Sequence, residues 1–173
     1  MNFRVTKSDT LFRGRVFDLQ VDEIEYDSGN KGVRETAIHN GGAVIVPVTE
    51  DGKIVMISQY RYPLKQVLLE LPAGKLEINE DPMECARREL EEETGYKSAN
   101  IVKLGSIFTT PGFCTEELHI YMAKDLVSGN HNREEGEFGM KVFEFTREEI
   151  AHKIRIGEIK DAKTICGVHL LEF

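Results

Sequence analysis

Residues 74–96 read GKLEINEDPMECARRELEEETGY and concentrate acidic side chains between two glycines. Glu89, Glu92 and Glu93 have the spacing i, i+3 and i+4, which places side chains on one face of a helix. Like charges at this spacing destabilise a helix by roughly 0.2–0.5 kcal/mol per pair. A hard divalent cation would remove that cost, because Mg²⁺ and Mn²⁺ prefer oxygen ligands. The pattern predicts a metal-holding helix, and a solvated acidic helix is the alternative.

The helix predicted from this stretch has recognisable ends. Its start carries residues that resemble a capping box, namely Asp81, Pro82 and Glu84. Gly95 fits the left-handed position just past the last turn. Arg88 lies four residues before Glu92 and is expected to pair with its carboxylate and orient it. The apolar positions that should face the core are Met83, Ala86 and Leu90.

The full spacing is more specific than the charge pattern. Gly74, five residues, Glu80, seven residues and then Arg88-Glu89-Leu90-x-Glu92-Glu93-x-Gly95-Tyr96 resembles the signature of the Nudix hydrolases at every fixed position. These enzymes cleave nucleoside diphosphates linked to another moiety and use Mg²⁺ or Mn²⁺. The resemblance implies four metal ligands, which are Glu89, Glu92, Glu93 and the backbone carbonyl of Ala73. Glu80 is a further candidate ligand, and its alternative role is to orient the loop or the helix start.

The signature at residues 74–96 is called the acidic box below. Segments outside it resemble one branch of the family, the ADP-ribose pyrophosphatases. They are SQYR at 58–61, ELPAG at 70–74, TPGF at 110–113 and GEIKDAKT at 157–164. In that branch a proline falls about fifteen residues after the box, where Pro111 stands. Nucleoside diphosphate sugar hydrolases share many of these markers, so another nucleotide sugar such as GDP-mannose is the alternative substrate.

The resemblance also implies substrate contacts. Arg61 is expected to grip phosphate oxygens with parallel hydrogen bonds, and a salt bridge at the edge of the core is its alternative role. Arg34 and Glu35 are expected to contact the substrate or its ribose. Phe17 is a candidate to stack on the base, with a place in the core as the alternative. Pro111 belongs to the expected substrate-binding loop.

The proton acceptor for the attacking water is expected in a flexible acidic loop at residues 128–139. Glycines in this loop would let it close over the substrate. Glu137 fits the role best and Glu135 is second, but an extra residue near Gly139 leaves the register open. Glu92 of the box is the third candidate for a catalytic role, and a merely solvated loop is the alternative.

Composition excludes several classes of protein. The chain has 173 residues, 40% hydrophobic content and a formal net charge of −8, which suits a globular protein with a sizeable core. The acidic balance, without a long Lys and Arg run, argues against a nucleic-acid partner. The N-terminus lacks the apolar stretch of a secretory signal, and no apolar run reaches membrane-spanning length. The three cysteines lack disulfide or zinc spacing, so a cytoplasmic protein is expected.

The pattern of strands and helices predicts an α/β protein, a Nudix α/β/α sandwich with a mixed sheet. Residues 1–40 read as an appended antiparallel sheet with strands around 3–8, 15–26 and 32–39, and residues 41–173 as the Nudix domain. Asp27-Ser28-Gly29-Asn30 should form a hairpin turn. Residues 43–48, an apolar run that fits a strand buried on both faces, and residues 54–60 are expected to pair as a hairpin. Thr146 with Glu149 should cap a helix near 147–156, and Asp161 is expected to cap a last helix through Leu171. In the resembling branch the appended sheet packs against the partner subunit, so a homodimer with substrate contacts from residues 1–40 is expected.

These observations favour an enzyme that hydrolyses the pyrophosphate bond of ADP-ribose to AMP and ribose 5-phosphate. A different class of function is a catalytically silent Nudix domain that senses nucleotides. The intact Glu89, Glu92 and Glu93 argue against it. A Nudix protein acting on mRNA caps or tRNA would need a basic surface, which the charge of −8 disfavours.

Overall fold

A computed structural model of the chain describes residues 2–129 and 139–171. These residues form two compact units, one from the described parts of 1–41 and 108–117 and the other from the described parts of 42–107 and 118–173. Segment 108–117, expected in the second domain, groups with the N-terminal residues because it is hydrogen-bonded to the end of their sheet. Ala37 N donates to Phe113 O at 2.7 Å, and Thr115 N donates to Ala37 O at 3.0 Å.

The first unit contains a three-stranded antiparallel sheet in the order β1-β2-β3. Its strands are β1 (Phe3–Arg13), β2 (Asp18–Tyr26) and β3 (Lys31–Ile38). The turn between β2 and β3 forms where Asp27-Ser28-Gly29-Asn30 predicted it. Gly29 has a φ of 81°, and its N–H donates to Tyr26 O at 2.8 Å. All residues of β1 are exposed.

The second unit carries nine strands and three helices among the residues that the structure describes. The strands are β4 (Gly42–Pro47), β5 (Ile54–Arg61), β6 (Gln66–Glu70), β7 (Ala73–Lys75), β8 (Tyr96–Lys97), β9 (Asn100–Phe108), β10 (Glu117–Lys124), β11 (Val127–Ser128) and β12 (Lys141–Phe145), with the tips Phe108 and Glu117 belonging to the first unit. The helices are α1 (Pro82–Glu89), α2 (Arg147–Arg155) and α3 (Ala162–Leu170). Short helical turns lie at Tyr62–Leu64 and Leu90–Thr94.

The central strand β4 explains the layered architecture. It pairs in parallel with β10 and antiparallel with β7, so the sheet β7-β4-β10-β9 is mixed. All six residues of β4 are buried, as the apolar run predicted. Because side chains alternate along a strand, Ala43 and Ile45 join the core cluster of α1, while Val44 and Val46 join the cluster of α2 and α3. The predicted α/β sandwich with a mixed sheet is confirmed.

The expected hairpin between residues 43–48 and 54–60 is wrong. β4 and β5 belong to different sheets, and among the described residues a single bridge between Val48 and Ile54 links their ends. β5 pairs with β6 and β12 instead. Both strands are apolar on both faces at their start, so the sequence pattern gave no polar edge from which to read their partners.

The two C-terminal helices begin where capping residues predicted them. Thr146 and Glu149 form a reciprocal capping box at the start of α2. Asp161 caps α3, since its carboxylate accepts a hydrogen bond from Thr164 N at 3.0 Å. None of the helices in the described ranges has the length and apolar character that a bilayer crossing needs.

Candidate active site

Helix α1 has the start and the buried face that the sequence predicted. The Asp81 side chain accepts hydrogen bonds from Met83 N at 2.9 Å and Glu84 N at 3.3 Å. Ala86 and Leu90 are fully buried, and Met83 packs against the same cluster. The Glu84 carboxylate lies 3.4 Å from Arg87 Nε. The cap therefore holds the start of the acidic segment while its apolar side is anchored in the core.

The acidic segment does not continue as one α-helix. It changes to a π-helical turn at Leu90–Thr94, and Gly95 ends it with a φ of 75°. The Thr94 hydroxyl donates to the carbonyl of Leu90 within this turn. Single π-helical turns are rare and occur frequently at functional sites. The three glutamates therefore do not keep the i, i+3, i+4 geometry of a regular α-helix, and the carboxylates of Glu89 and Glu93 are both buried.

The segment between β6 and α1 packs closely on these two buried carboxylates; it is called the Ala73–Gly74 loop below, although these two residues also begin the short strand β7. Ala73 N donates to Glu93 Oε2 at 2.9 Å. A Cβ atom added to Gly74 would lie 1.6 Å from Glu89 Oε1, so only glycine leaves room for the carboxylate at this point. The structure thus brings Ala73, Glu89 and Glu93 together.

Arg88 balances the charge of the cluster. Its guanidinium donates to Glu89 at 2.6 Å, to Glu92 at 2.9 Å and to both oxygens of Glu80 at 3.0 and 3.2 Å. The expected pairing of Arg88 with Glu92 is confirmed. The hydrogen bond from Arg88 holds the pKa of Glu80 below its ordinary value. Glu80 also accepts from Glu77 N at 2.9 Å, so it orients both the loop and the arginine.

The donor atoms of the cluster fit a divalent cation, since they are hard oxygens in a partly buried setting. Within residues 2–129 and 139–171, however, no three His, Cys, Asp or Glu side chains converge as a group able to hold a metal ion. The arrangement is organised around the guanidinium of Arg88, which supplies positive charge to the same carboxylates.

Arg61 is held by a buried carboxylate. Its Nε and Nη2 atoms donate to Glu70 at 2.8 and 2.6 Å, and Glu70 is 1% exposed. The hydrogen bonds that Arg61 donates to Glu70 raise the pKa of Arg61, and the charge of Glu93 also raises it, so Arg61 is in electrostatic range of Glu93. A guanidinium has five N–H groups, so a bidentate pair leaves others for a further acceptor. The salt bridge and a phosphate contact are therefore compatible roles.

Gln59 belongs to the SQYR segment at 58–61 and was not predicted as a site residue. Its Oε1 atom is buried and has no hydrogen-bond partner among the described residues. Gln59 and Arg61 are two residues apart on β5, so their side chains leave the same face of the strand. An unpaired buried acceptor costs roughly 1–3 kcal/mol, which makes this oxygen a candidate contact for a substrate hydroxyl or amine.

The other predicted substrate contacts lie in the first unit. Arg34 and Glu35 are exposed on β3, where Arg34 donates to the Tyr26 hydroxyl and to Val33 O. Phe17 precedes β2, is 43% exposed and meets Phe12 at a ring distance of 6.4 Å, so it is not a core residue. Pro111 is exposed in its loop.

The candidates for the proton acceptor, Glu137 and Glu135, lie outside the described residues. The structure does describe Glu92, whose partly exposed carboxylate pairs with Arg88. Sequence reasoning missed Glu70 and Lys163 as members of the site. Glu70 lies in the ELPAG segment and Lys163 in the GEIKDAKT segment. An ion pair between residues that are 93 positions apart leaves no local signal in a sequence.

Comparison with known proteins agrees with this geometry. The NUDIX domain model matches residues 39–165. An ADP-ribose pyrophosphatase of Bacillus subtilis is 39% identical over 166 residues, which are 95% of this chain and 89% of the relative. A protein of Bacillus methanolicus named methanol dehydrogenase activator is 41% identical over 171 residues, 98% of this chain and 92% of the relative.

A solved structure supports the fold. The crystal structure of an ADP compounds hydrolase superposes with a TM-score of 0.88, covering 99% of this chain and 93% of that one at 20% identity. At this identity the likeness speaks for the fold alone. Nudix hydrolases generally use divalent metal ions, and the oxygen donors of the acidic cluster suit such ions. Because the family match spans most of the chain and includes the complete acidic box, this chain belongs to the Nudix family and is a Nudix pyrophosphatase.

Proposed function

We propose that this enzyme hydrolyses the pyrophosphate bond of ADP-ribose and releases AMP and ribose 5-phosphate. The observation that carries the proposal is the junction of Glu89 and Glu93 with the Ala73–Gly74 loop, with Arg61 in electrostatic range. The substrate assignment is supported by the 39% identity to a relative named ADP-ribose pyrophosphatase. Cleavage of another nucleoside diphosphate sugar, such as GDP-mannose, is the alternative.

The proposal assigns metal binding to Glu89, Glu92, Glu93 and the carbonyl of Ala73, with Mg²⁺ or Mn²⁺ as the ion. When bound, such an ion neutralises charge on the pyrophosphate oxygens. Arg61 holds a phosphate oxygen with the N–H groups that are not hydrogen-bonded to Glu70. Glu137 takes the proton of the attacking water, with Glu135 as the second candidate and Glu92 as the third.

The proposal further assigns Arg34, Glu35, Phe17 and Pro111 to the nucleoside and ribose of the substrate, and residues 1–40 to a homodimer interface. Two features of β1 support a partner. Its outer edge has no partner strand among the described residues, and Leu11 and Phe12 on β1 are 65% and 55% exposed. Open edges and exposed apolar residues favour association. The three cysteines are free, which suits the proposed cytoplasmic location.

A second candidate function is activation of a dehydrogenase. It is favoured by the 41% identity to the relative named methanol dehydrogenase activator. The two functions are separated by adding the purified chain to methanol dehydrogenase and measuring its turnover, beside hydrolysis of nucleotide sugars by the chain alone.

The experiment that tests the main proposal is product identification. ADP-ribose incubated with the enzyme and Mg²⁺ should give AMP and ribose 5-phosphate in equal amounts by chromatography. Adenosine with ribose 5-phosphate and inorganic phosphate, or no turnover of ADP-ribose beside rapid cleavage of GDP-mannose, would contradict it.

A further inference from the structure

The buried carboxylate of Glu70 binds two cations. Arg61 approaches it with two hydrogen bonds, and Lys163 Nζ donates to Glu70 Oε2 as well. A buried carboxylate is tolerated only when it is paired. Burial raises the pKa of Glu70, but the hydrogen bond from Arg61 and the charge of Lys163 outweigh it and hold the pKa below its ordinary value. Glu70 is therefore ionised and fixes the angle at which Arg61 leaves β5.

Lys163 is itself fixed by the first turn of α3. Its Nζ atom donates to Asp161 at 2.9 Å, and its side chain is 11% exposed. Asp161 accepts hydrogen bonds from Thr164 N at 3.0 Å and from Thr164 Oγ1 at 2.6 Å. The start of α3 thus holds the ammonium group on Glu70.

The same turn holds the loop before the acidic helix. Thr164 Oγ1 accepts a hydrogen bond from Leu71 N at 2.8 Å, and Thr164 is fully buried. A hydroxyl donates one hydrogen and accepts others, so Thr164 serves Asp161 and Leu71 together. Leu71 stands two residues before Ala73, whose N–H binds Glu93. One turn of α3 therefore reaches both Arg61 and the Ala73–Gly74 loop.

We propose that Glu70, Asp161, Lys163 and Thr164, here called the α3 clamp, position the two halves of the active site relative to each other. Through Lys163 and Glu70 the clamp aims Arg61 at a substrate phosphate. Through Thr164 and Leu71 it sets the loop that carries the Ala73 carbonyl. These four are positioning residues that act through Arg61 and Ala73, and the inference rests on the proposed hydrolysis of a nucleoside diphosphate sugar.

The clamp has two arms, one from Lys163 through Glu70 to Arg61 and one from Thr164 to Leu71. Loss of each arm should have a different effect. Loss of the Lys163 ammonium should raise KM for the substrate, because Arg61 is less well aimed. Loss of the Thr164 hydroxyl should weaken Mn²⁺ binding, because Leu71 N loses its acceptor and the Ala73 loop relaxes. Losses of about 10- to 100-fold are expected, the usual effect of removing an outer partner of a functional ligand.

The decisive test is a double-mutant cycle on kcat/KM, made with the nucleoside diphosphate sugar that the wild type cleaves best. The variants are Glu70→Gln, Arg61→Lys and the pair, with Lys160→Met as a control, since Lys160 is exposed in the same segment. If Glu70 acts through Arg61, the pair should lose no more than Arg61→Lys alone. If the losses in kcat/KM of the two single variants multiply in the double variant, Glu70 does not act through Arg61 and only stabilises the fold, which would overturn the inference.

The second arm is tested by calorimetric titration of Mn²⁺ into Thr164→Val and Thr164→Ser without substrate. The Val variant should bind Mn²⁺ at least about tenfold more weakly, while Ser, which retains the hydroxyl, should bind as the wild type does. Equal binding in both overturns this arm. If Glu70→Gln does not fold, Lys163→Met replaces it in the cycle. A wild type that cleaves no nucleotide sugar overturns the proposed function and the inference together, whereas an active wild type with multiplying losses overturns only the inference.

Discussion

The backbone N–H of Ala73 donates a 2.9 Å hydrogen bond to Oε2 of Glu93, twenty positions further along the chain. This bond ties the start of β7, before α1, to the π-helical turn after α1. Glu93 is 1% exposed, so its charge is committed to this junction. Metal binding and catalysis are proposed to take place at this junction.

Removal of the divalent metal should abolish hydrolysis. A chelator should bring turnover to background, and added Mg²⁺ or Mn²⁺ should restore it, because the ion stabilises the transition state by several kcal/mol. Glu93→Gln should lose about a thousandfold in kcat, corresponding to roughly 4 kcal/mol, while circular dichroism shows a folded protein. Glu91→Gln is the matched control, since Glu91 pairs with Lys97 at 2.6 Å away from the junction. Full turnover in chelator would refute the metal assignment.

The loop carboxylates Glu137 and Glu135 are separated by their effects on kcat. Glu137→Gln should lower kcat by about 10²–10⁴, the usual contribution of a general base. KM should change little, because the base acts mainly in the transition state. Glu135→Gln is the matched variant and tests the alternative register. If neither substitution costs even about tenfold, the loop does not supply the base and Glu92 becomes the better candidate.

The unpaired edge of β1 predicts a dimer in solution. Light scattering should give twice the monomer mass, with the two-fold symmetry usual for homodimers. Leu11→Asp, which introduces a charge at the most exposed apolar position of β1, should shift the mass toward the monomer and lower activity together. Wild-type protein that is monomeric at assay concentration and fully active would contradict both the dimer and the contribution of residues 1–40 to the partner's site.

The ionised state of Glu70 predicts a pH dependence of stability. Its folded pKa lies below the ordinary 4.5, so its stabilising contribution is complete above that value and is lost as pH falls through the folded pKa. The gap in free energy of unfolding between wild type and Glu70→Gln should therefore narrow as pH falls from about 6 to about 3. Urea denaturation of both proteins measures the gap, and a gap that widens toward low pH would have the wrong sign.

Local signals predicted much of this fold. The Asp81, Thr146 and Asp161 caps and the left-handed Gly95 lie where the sequence put them, because a cap is a contact between near neighbours. The buried strand β4 was equally legible from its unbroken apolar run. Contacts between near neighbours can therefore be predicted from a single sequence.

Contacts between distant segments were not predicted. The separation of β4 and β5 into different sheets depends on partners far away in sequence, which an all-apolar pattern does not specify. The π-helical turn occurs where Glu89 and Glu93 pack against the Ala73–Gly74 loop, a contact between segments that local sequence does not specify. Glu70 and Lys163 lie in two segments that resemble the ADP-ribose pyrophosphatases, but the sequence does not predict that they form an ion pair, which the structure shows.

The most direct test of the proposed function is a comparison of kcat/KM for ADP-ribose, GDP-mannose and a nucleoside triphosphate under identical metal conditions. ADP-ribose should be preferred by at least about tenfold, a difference of roughly 1.4 kcal/mol in transition-state binding. A tenfold preference for GDP-mannose or the triphosphate, about 1.4 kcal/mol in the opposite direction, would contradict the substrate assignment and leave only the Nudix pyrophosphatase.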